Sequence, residues 1–205
     1  MEINEYERRA LICSEQYNGI LPYSEAFYIY SIIYSSTRCL GAFERYKWIK
    51  KRGATAEELV SSVQEAISHA ASLSRYFWPS KQGTRKQPNL NRLKELRGIM
   101  LRKAFKIEDT SGLHNRELRN VWEHFDERLD IYCLENDSGY FYPGCMVGHH
   151  TLADKSTNRI FKLLDVDAEC LVLLGKKYFF SPIRDAVQLV LNRAKEFESN
   201  GLRLK

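Results

Sequence analysis

The chain has 205 residues, 44% of them hydrophobic and 28% charged, with a formal net charge of +5. That balance excludes collagen-like, low-complexity and disulfide-stapled classes, and it fits a folded chain with one sizeable core. The five cysteines, Cys13, Cys39, Cys133, Cys145 and Cys170, are scattered and without a C-x-x-C, which points to a reducing, cytoplasmic setting. The start "MEINEYERRA" is charged where a signal peptide needs an apolar run, and "AFYIYSIIYSS" is too short and hydroxylated to span a bilayer, so no membrane partner is expected.

Residues 2–17 form a candidate short helix before the break at "NGILP". A long helical pattern runs from Ser24 to about Lys51. Tyr23, Phe27, Tyr30 and Tyr34 make one stripe, Ile29, Ile33, Leu40 and Phe43 a second, and Tyr28 and Ile32 fill much of the remaining arc. A helix apolar nearly all round is buried on more than one side, which predicts a homodimer built on it. Gly53 ends this helix, and Thr55 with Glu58 has the spacing of a capping box for the next. There Leu59, Val63, Ile67, Ala70 and Phe77 share a face up to the stop at Trp78-Pro79.

The polar linker that follows, "SKQGTRKQPN", predicts a mobile basic loop over residues 81–88. A helix from about Leu90 to Lys106 presents Leu93, Leu96, Met100 and Leu101 inward. After "EDTSG", the stretch from His114 to Tyr132 reads as one helix, with Leu118, Val121, Trp122, Phe125, Leu129 and Tyr132 in a stripe. The expectation is a mainly α fold, an antiparallel helical bundle over residues 1–136. Residues 137–205 read differently. "GYFYPGCMVG", "RIFKLLDV" and "ECLVLLGKKYFF" are short β-prone runs, Gly175-Lys176 has the form of a hairpin turn, and Ser181-Pro182 caps a last helix ending near Glu198-Ser199. Too small to stand alone, this β-hairpin and helix is expected as an appendage packed on the bundle.

Charge is segregated along the chain. Lys81, Arg85, Lys86, Arg92, Lys94, Arg97, Arg102, Lys103 and Lys106 face a single acid, Glu95, while residues 107–137 are rich in Asp and Glu. Two readings follow: neighbouring helices that neutralise one another, or a basic surface that meets a nucleic acid backbone. On the second reading Lys81, Arg85, Lys86 and Arg116 are the candidate nucleic-acid contacts.

Within "RNVWEH", Arg119, Asn120 and His124 carry the chemistry. Advancing about 100° per residue from Leu118, Trp122, Phe125 and Leu129 stay on the apolar side, while Asn120, His124 and Glu127 fall on the far face. Arg119 lies one turn from Glu123, spaced for an i, i+4 ion pair, and about 140° around the helix from His124. Both functional positions lie off the apolar stripe, so neither is expected to hold the fold together. A histidine can take a proton from a ribose 2′-hydroxyl or return one to the leaving oxygen. An arginine can hold a phosphate through two hydrogen bonds and stabilise the added charge. For one phosphate to meet both, Arg119 must swing across or a second copy must complete the site.

"RNVWEH" resembles the R-x(4–6)-H signature of the HEPN superfamily, in which a polar residue, here Asn120, also follows the arginine. The resemblance implies an all-α bundle and catalytic roles for Arg119, Asn120 and His124. It further implies a metal-independent endoribonuclease working as a homodimer on RNA without a cofactor. Family members serve as toxins or in phage defence, often beside a nucleotidyltransferase-type antitoxin partner. The alternative is a non-catalytic protein of the same fold that binds nucleic acid or a protein partner. The sequence departs from one toxin subgroup in placing Asp126, not tyrosine, two residues after the histidine.

"CMVGHHTLAD" brings Cys145, His149, His150 and Asp154 together, but adjacent histidines on an extended chain point to opposite faces, so no metal site is expected there. His69 and His114 are read as helix-surface or capping residues, and "YFYPG" as aromatic packing of the β-element.

Overall fold

The computed structural model describes residues 3–80 and 87–204. Its helices are α1 (Ile3–Tyr17), α2 (Glu25–Lys50), α3 (Ala56–Phe77), α4 (Pro88–Phe105), α5 (Glu117–Glu123), α6 (Phe125–Glu135) and α7 (Ser181–Ser199). Four strands, β1 (Tyr140–Val147), β2 (Asn158–Asp165), β3 (Cys170–Leu173) and β4 (Lys176–Phe179), form one sheet. The protein is mainly α. No helix among the described residues is long and apolar enough to cross a membrane.

α2 is the spine. Its buried side is Ile29, Ile32, Cys39, Phe43 and Tyr46, while Ile33 and Leu40 are only partly covered. Against it lie Val63, Ile67, Ala70, Leu73 and Phe77 of α3 and Val187, Val190 and Ala194 of α7. Each such aliphatic or aromatic side chain contributes roughly 1.5–3 kcal/mol by leaving water. The other stripe of α2 faces solvent in the single chain, Phe27 and Tyr34 being 72% and 63% exposed, and Tyr23 in the 3-10 turn just before the helix is 75% exposed.

Local chemistry sets the helix ends. The Glu58 amide donates to Thr55 Oγ1 at 3.3 Å and the Thr55 amide to Glu58 Oε2 at 2.9 Å, closing the capping box that starts α3. The other end of α3 is held by three arginines. Arg97 donates to the Arg75 carbonyl at 3.2 Å, Arg102 to that of Phe77 and Arg116 to that of Trp78. These cations fill the carbonyls that a helix end leaves unpaired and meet its negative dipole end. α4 approaches closely here because residue 98 is glycine: a Cβ would stand 2.6 Å from the Phe77 carbonyl oxygen.

The core is continuous across residue 136. Phe180 stacks on Phe43 with ring centroids 5.6 Å apart and meets Tyr46 edge-on. At the far end of the chain, the Leu204 amide donates to buried Glu25 Oε2 at 2.9 Å. The sheet exceeds the single hairpin read from the sequence. Its order is β1-β2-β3-β4, with β1 parallel to β2 and the other pairs antiparallel. The β1–β2 register shifts between Tyr142 and Cys145, where Pro143 has no amide hydrogen to offer. The β3–β4 turn is Leu174-Gly175, one residue earlier than Gly175-Lys176, and both residues have positive φ, 48° and 74°. Ser181 lies inside the first turn of α7 with Phe180 in the capping position, so the hydroxyl does not cap.

Candidate functional site

The stretch read as one helix is two. α5 ends at Glu123, α6 begins at Phe125, and His124 between them has φ −122° and ψ 39°, outside the helical region. The apolar stripe changes partner at this point. Leu118 and Val121 are buried in the helical core, whereas Phe125 packs edge-on to Phe161 of β2, centroids 5.3 Å apart. Trp122 and Phe125 stack at 5.8 Å with the Lys162 ammonium over both rings. α6 buries no residue fully, and its Leu134 is 85% exposed.

The break separates the motif residues. The Arg119 side chain is only 14% exposed and lines a cavity of about 20 Å³ with Ser74, Asn115 and Arg116. Its Nε stands 3.5 Å from Glu123 Oε2, and the other oxygen of Glu123 accepts from Arg75 Nη2 at 2.9 Å. The expected Arg119–Glu123 pair therefore forms, but the arginine points inward and is partly structural, contrary to its expected place off the packed face. His124 points outward. Its side chain is 57% exposed, with Nδ1 3.5 Å from Glu127 Oε2. Asn120 is half-buried on α5. In the single chain Arg119 is thus turned inward on Glu123 and His124 outward on Glu127.

Of the candidate nucleic-acid contacts, Lys81, Arg85 and Lys86 lie outside the described residues, as does most of the linker expected to be mobile. Arg116 is half-buried, donates to the Trp78 carbonyl and lines the edge of a groove. Burial first, then the neighbouring guanidiniums of Arg119 and Arg75, push its pKa below the ordinary arginine value. Beside it opens a groove of about 490 Å³ walled by Trp78, Pro79, Arg92, Lys94 and Arg102. The Trp78 indole stacks on His114 at 4.7 Å and donates to Asp109 at 2.7 Å, and His114 Nδ1 lies 2.8 Å from the Asp109 carbonyl oxygen. Arg92 and Lys94 make no hydrogen bond or ion pair among the described residues. The basic and acidic segments scarcely neutralise each other: among the described residues one ion pair joins them, Arg102 to Asp109 at 3.9 Å.

His149 and His150 do not point to opposite faces. His150 opens a 3-10 turn, which stacks the two rings at 4.6 Å, and both stand beside Asp165, which the sequence places fifteen residues further on. One ligand atom from each of the three lies within 4.8 Å of the others. The carboxylate is already saturated: Oδ2 accepts from the His150 amide and Nδ1 at 2.9 and 2.7 Å, and Oδ1 from the Asp167 and Ala168 amides at 3.1 and 3.0 Å. Burial works to raise the Asp165 pKa, but the bonds from Ala168, His150 and Asp167 outweigh it and hold the carboxyl well below its usual range. The cluster ties the end of β2 to the turn after β1.

No family model matches the chain, and no curated protein or solved structure matches it.

Proposed function

We propose that the chain is a HEPN-like helical protein that binds RNA and, as a single subunit, does not cut it. The observation that carries this reading is the separation of Arg119 from His124 across the helix break. General acid–base chemistry requires the proton carrier and the phosphate holder to reach one phosphodiester. What supports RNA as the ligand is the groove at Trp78, where Arg92 and Lys94 offer uncommitted charge beside an aromatic wall. We read α1–α6 as an antiparallel bundle, because α2 and α3 pack side by side through a short connection. Five free, scattered cysteines support a cytoplasmic setting. Fluorescence anisotropy of a labelled RNA in EDTA tests the reading: binding that weakens with salt is expected, and no binding at low salt refutes it.

A second reading is the metal-independent endoribonuclease that the motif implies, with its site completed by another copy. The exposed Tyr23, Phe27, Tyr30 and Tyr34 stripe favours a homodimer, since a helix face of four aromatics seldom stays in water. A toxin or defence role with a nucleotidyltransferase-type partner belongs to this second reading.

A further inference from the structure

The cavity between α3, the 112–116 loop and α5 has an unusual chemical lining. Four of the nine buried side-chain polar atoms without a hydrogen-bond partner among the described residues belong to its wall: Ser74 Oγ, Arg116 Nε, and Arg119 Nε and Nη1. Three of these are guanidinium nitrogens, which donate and cannot accept. Buried polar atoms are rarely left unpaired, because each costs about 1–3 kcal/mol, and more when charged. Whatever satisfies them must therefore accept hydrogen bonds.

Charge narrows the acceptor. Three guanidiniums, Arg75, Arg116 and Arg119, gather here, and Glu123 is the one carboxylate paired to any of them among the described residues. Glu123 already serves Arg75 at 2.9 Å and reaches Arg119 only as a 3.5 Å ion pair that is not a hydrogen bond. Two positive charges are left over in a largely desolvated place. Size narrows it again. The cavity is about 20 Å³. One water needs about 10–15 Å³ by the same measure, so a single atom fits and a whole phosphate group does not. The walls beyond the polar atoms are apolar, from Ile67, Ala70, Leu113 and Ile183.

We propose that this cavity holds one small anion, chloride in size and charge, against Arg116 and Arg119. The anion bridges α5 to α3 and neutralises the arginine cluster. Arg119 is then occupied by a resident anion instead of facing RNA. The inference stands apart from the RNA reading, because nucleic-acid binding at the Trp78 groove neither requires nor forbids it.

The test measures thermal melting of the purified full chain in sodium chloride and in sodium gluconate at equal ionic strength. Chloride is expected to raise the melting temperature by roughly 2–4 °C, as a ligand specific to the folded state does. Arg119→Gln, checked for folding by circular dichroism, is expected to remove that difference. No chloride effect in the wild type, or an equal effect in the variant, overturns the proposal. Should the variant not fold, crystals of the wild type grown in bromide decide: an anomalous peak between Arg116 and Arg119 supports the site, and its absence overturns it.

Discussion

Arg119 and His124 lie five residues apart on what reads as one helix, yet Glu123 holds the first inward while the second stands outside beyond the end of α5. The pairing with Glu123 follows from i, i+4 spacing. The outward turn of His124 follows from the redirection of the chain toward β2, where Phe125 finds Phe161. Packing of two apolar residues onto different partners thus decides the distance between two polar ones.

Removing cations from the groove should weaken RNA binding in a way that salt reveals. Arg92→Ala and Lys94→Ala are each expected to reduce the slope of log affinity against log salt by about 0.7, the value for one single-strand phosphate contact. Anisotropy titrations at several salt concentrations check this. An unchanged slope in both variants places RNA elsewhere.

Asp165 should be worth stability that acid removes. Folding lowers its pKa, so its contribution is fully present above the unfolded value, about 3.9, and is lost as pH falls from there toward the folded value. Asp165→Asn is expected to cost roughly 1.5–3 kcal/mol at neutral pH, because an amide cannot replace both acceptor oxygens. Urea melts should show the gap between the two proteins narrowing progressively as pH falls below about 4. A gap that stays constant as pH falls contradicts the assignment.

Much of this fold is legible in the sequence because its causes are local. Thr55 and Glu58 sit three residues apart and cap each other, and the α3 stripe from Leu59 to Phe77 is buried as its period demands. The hairpin turn sits one residue before Gly175-Lys176 because Leu174 takes a positive φ, which sequence assigns more readily to Gly175 or its polar neighbour. The site was less legible. Asp165 meets His149 and His150 only through the β1–β2 pairing, and Arg116 meets Trp78 only because the 112–116 loop folds back on α3. Gly112 lets the same loop press against the start of α7: a Cβ there would stand 2.4 Å from the Pro182 carbonyl oxygen.

Phe180 joins the C-terminal segment to the helical core, so the two should not separate. Phe180→Ala is expected to cost about 3–5 kcal/mol, the usual loss for a fully buried phenylalanine. Denaturant unfolding should remain a single transition in the wild type. Two transitions would mean that residues 1–136 and 137–205 unfold independently.

The aromatic face of α2 bears on oligomeric state. Tyr30→Glu with Tyr34→Glu should abolish any dimer while leaving the single chain folded by circular dichroism, since both rings are exposed in the single chain. Light scattering at micromolar concentration checks it, and a wild type that is monomeric there removes the ground for a shared catalytic site.

The separation of Arg119 from His124 is tested most directly by the length of bound RNA. End-labelled RNAs of varied sequence are incubated in EDTA with saturating wild type or His124→Ala, then resolved on a denaturing gel. Both proteins are expected to bind and to leave the RNA at full length. Shortening by the wild type to fragments with 2′,3′-cyclic phosphate ends, reduced about 10²- to 10⁴-fold by His124→Ala, would contradict it.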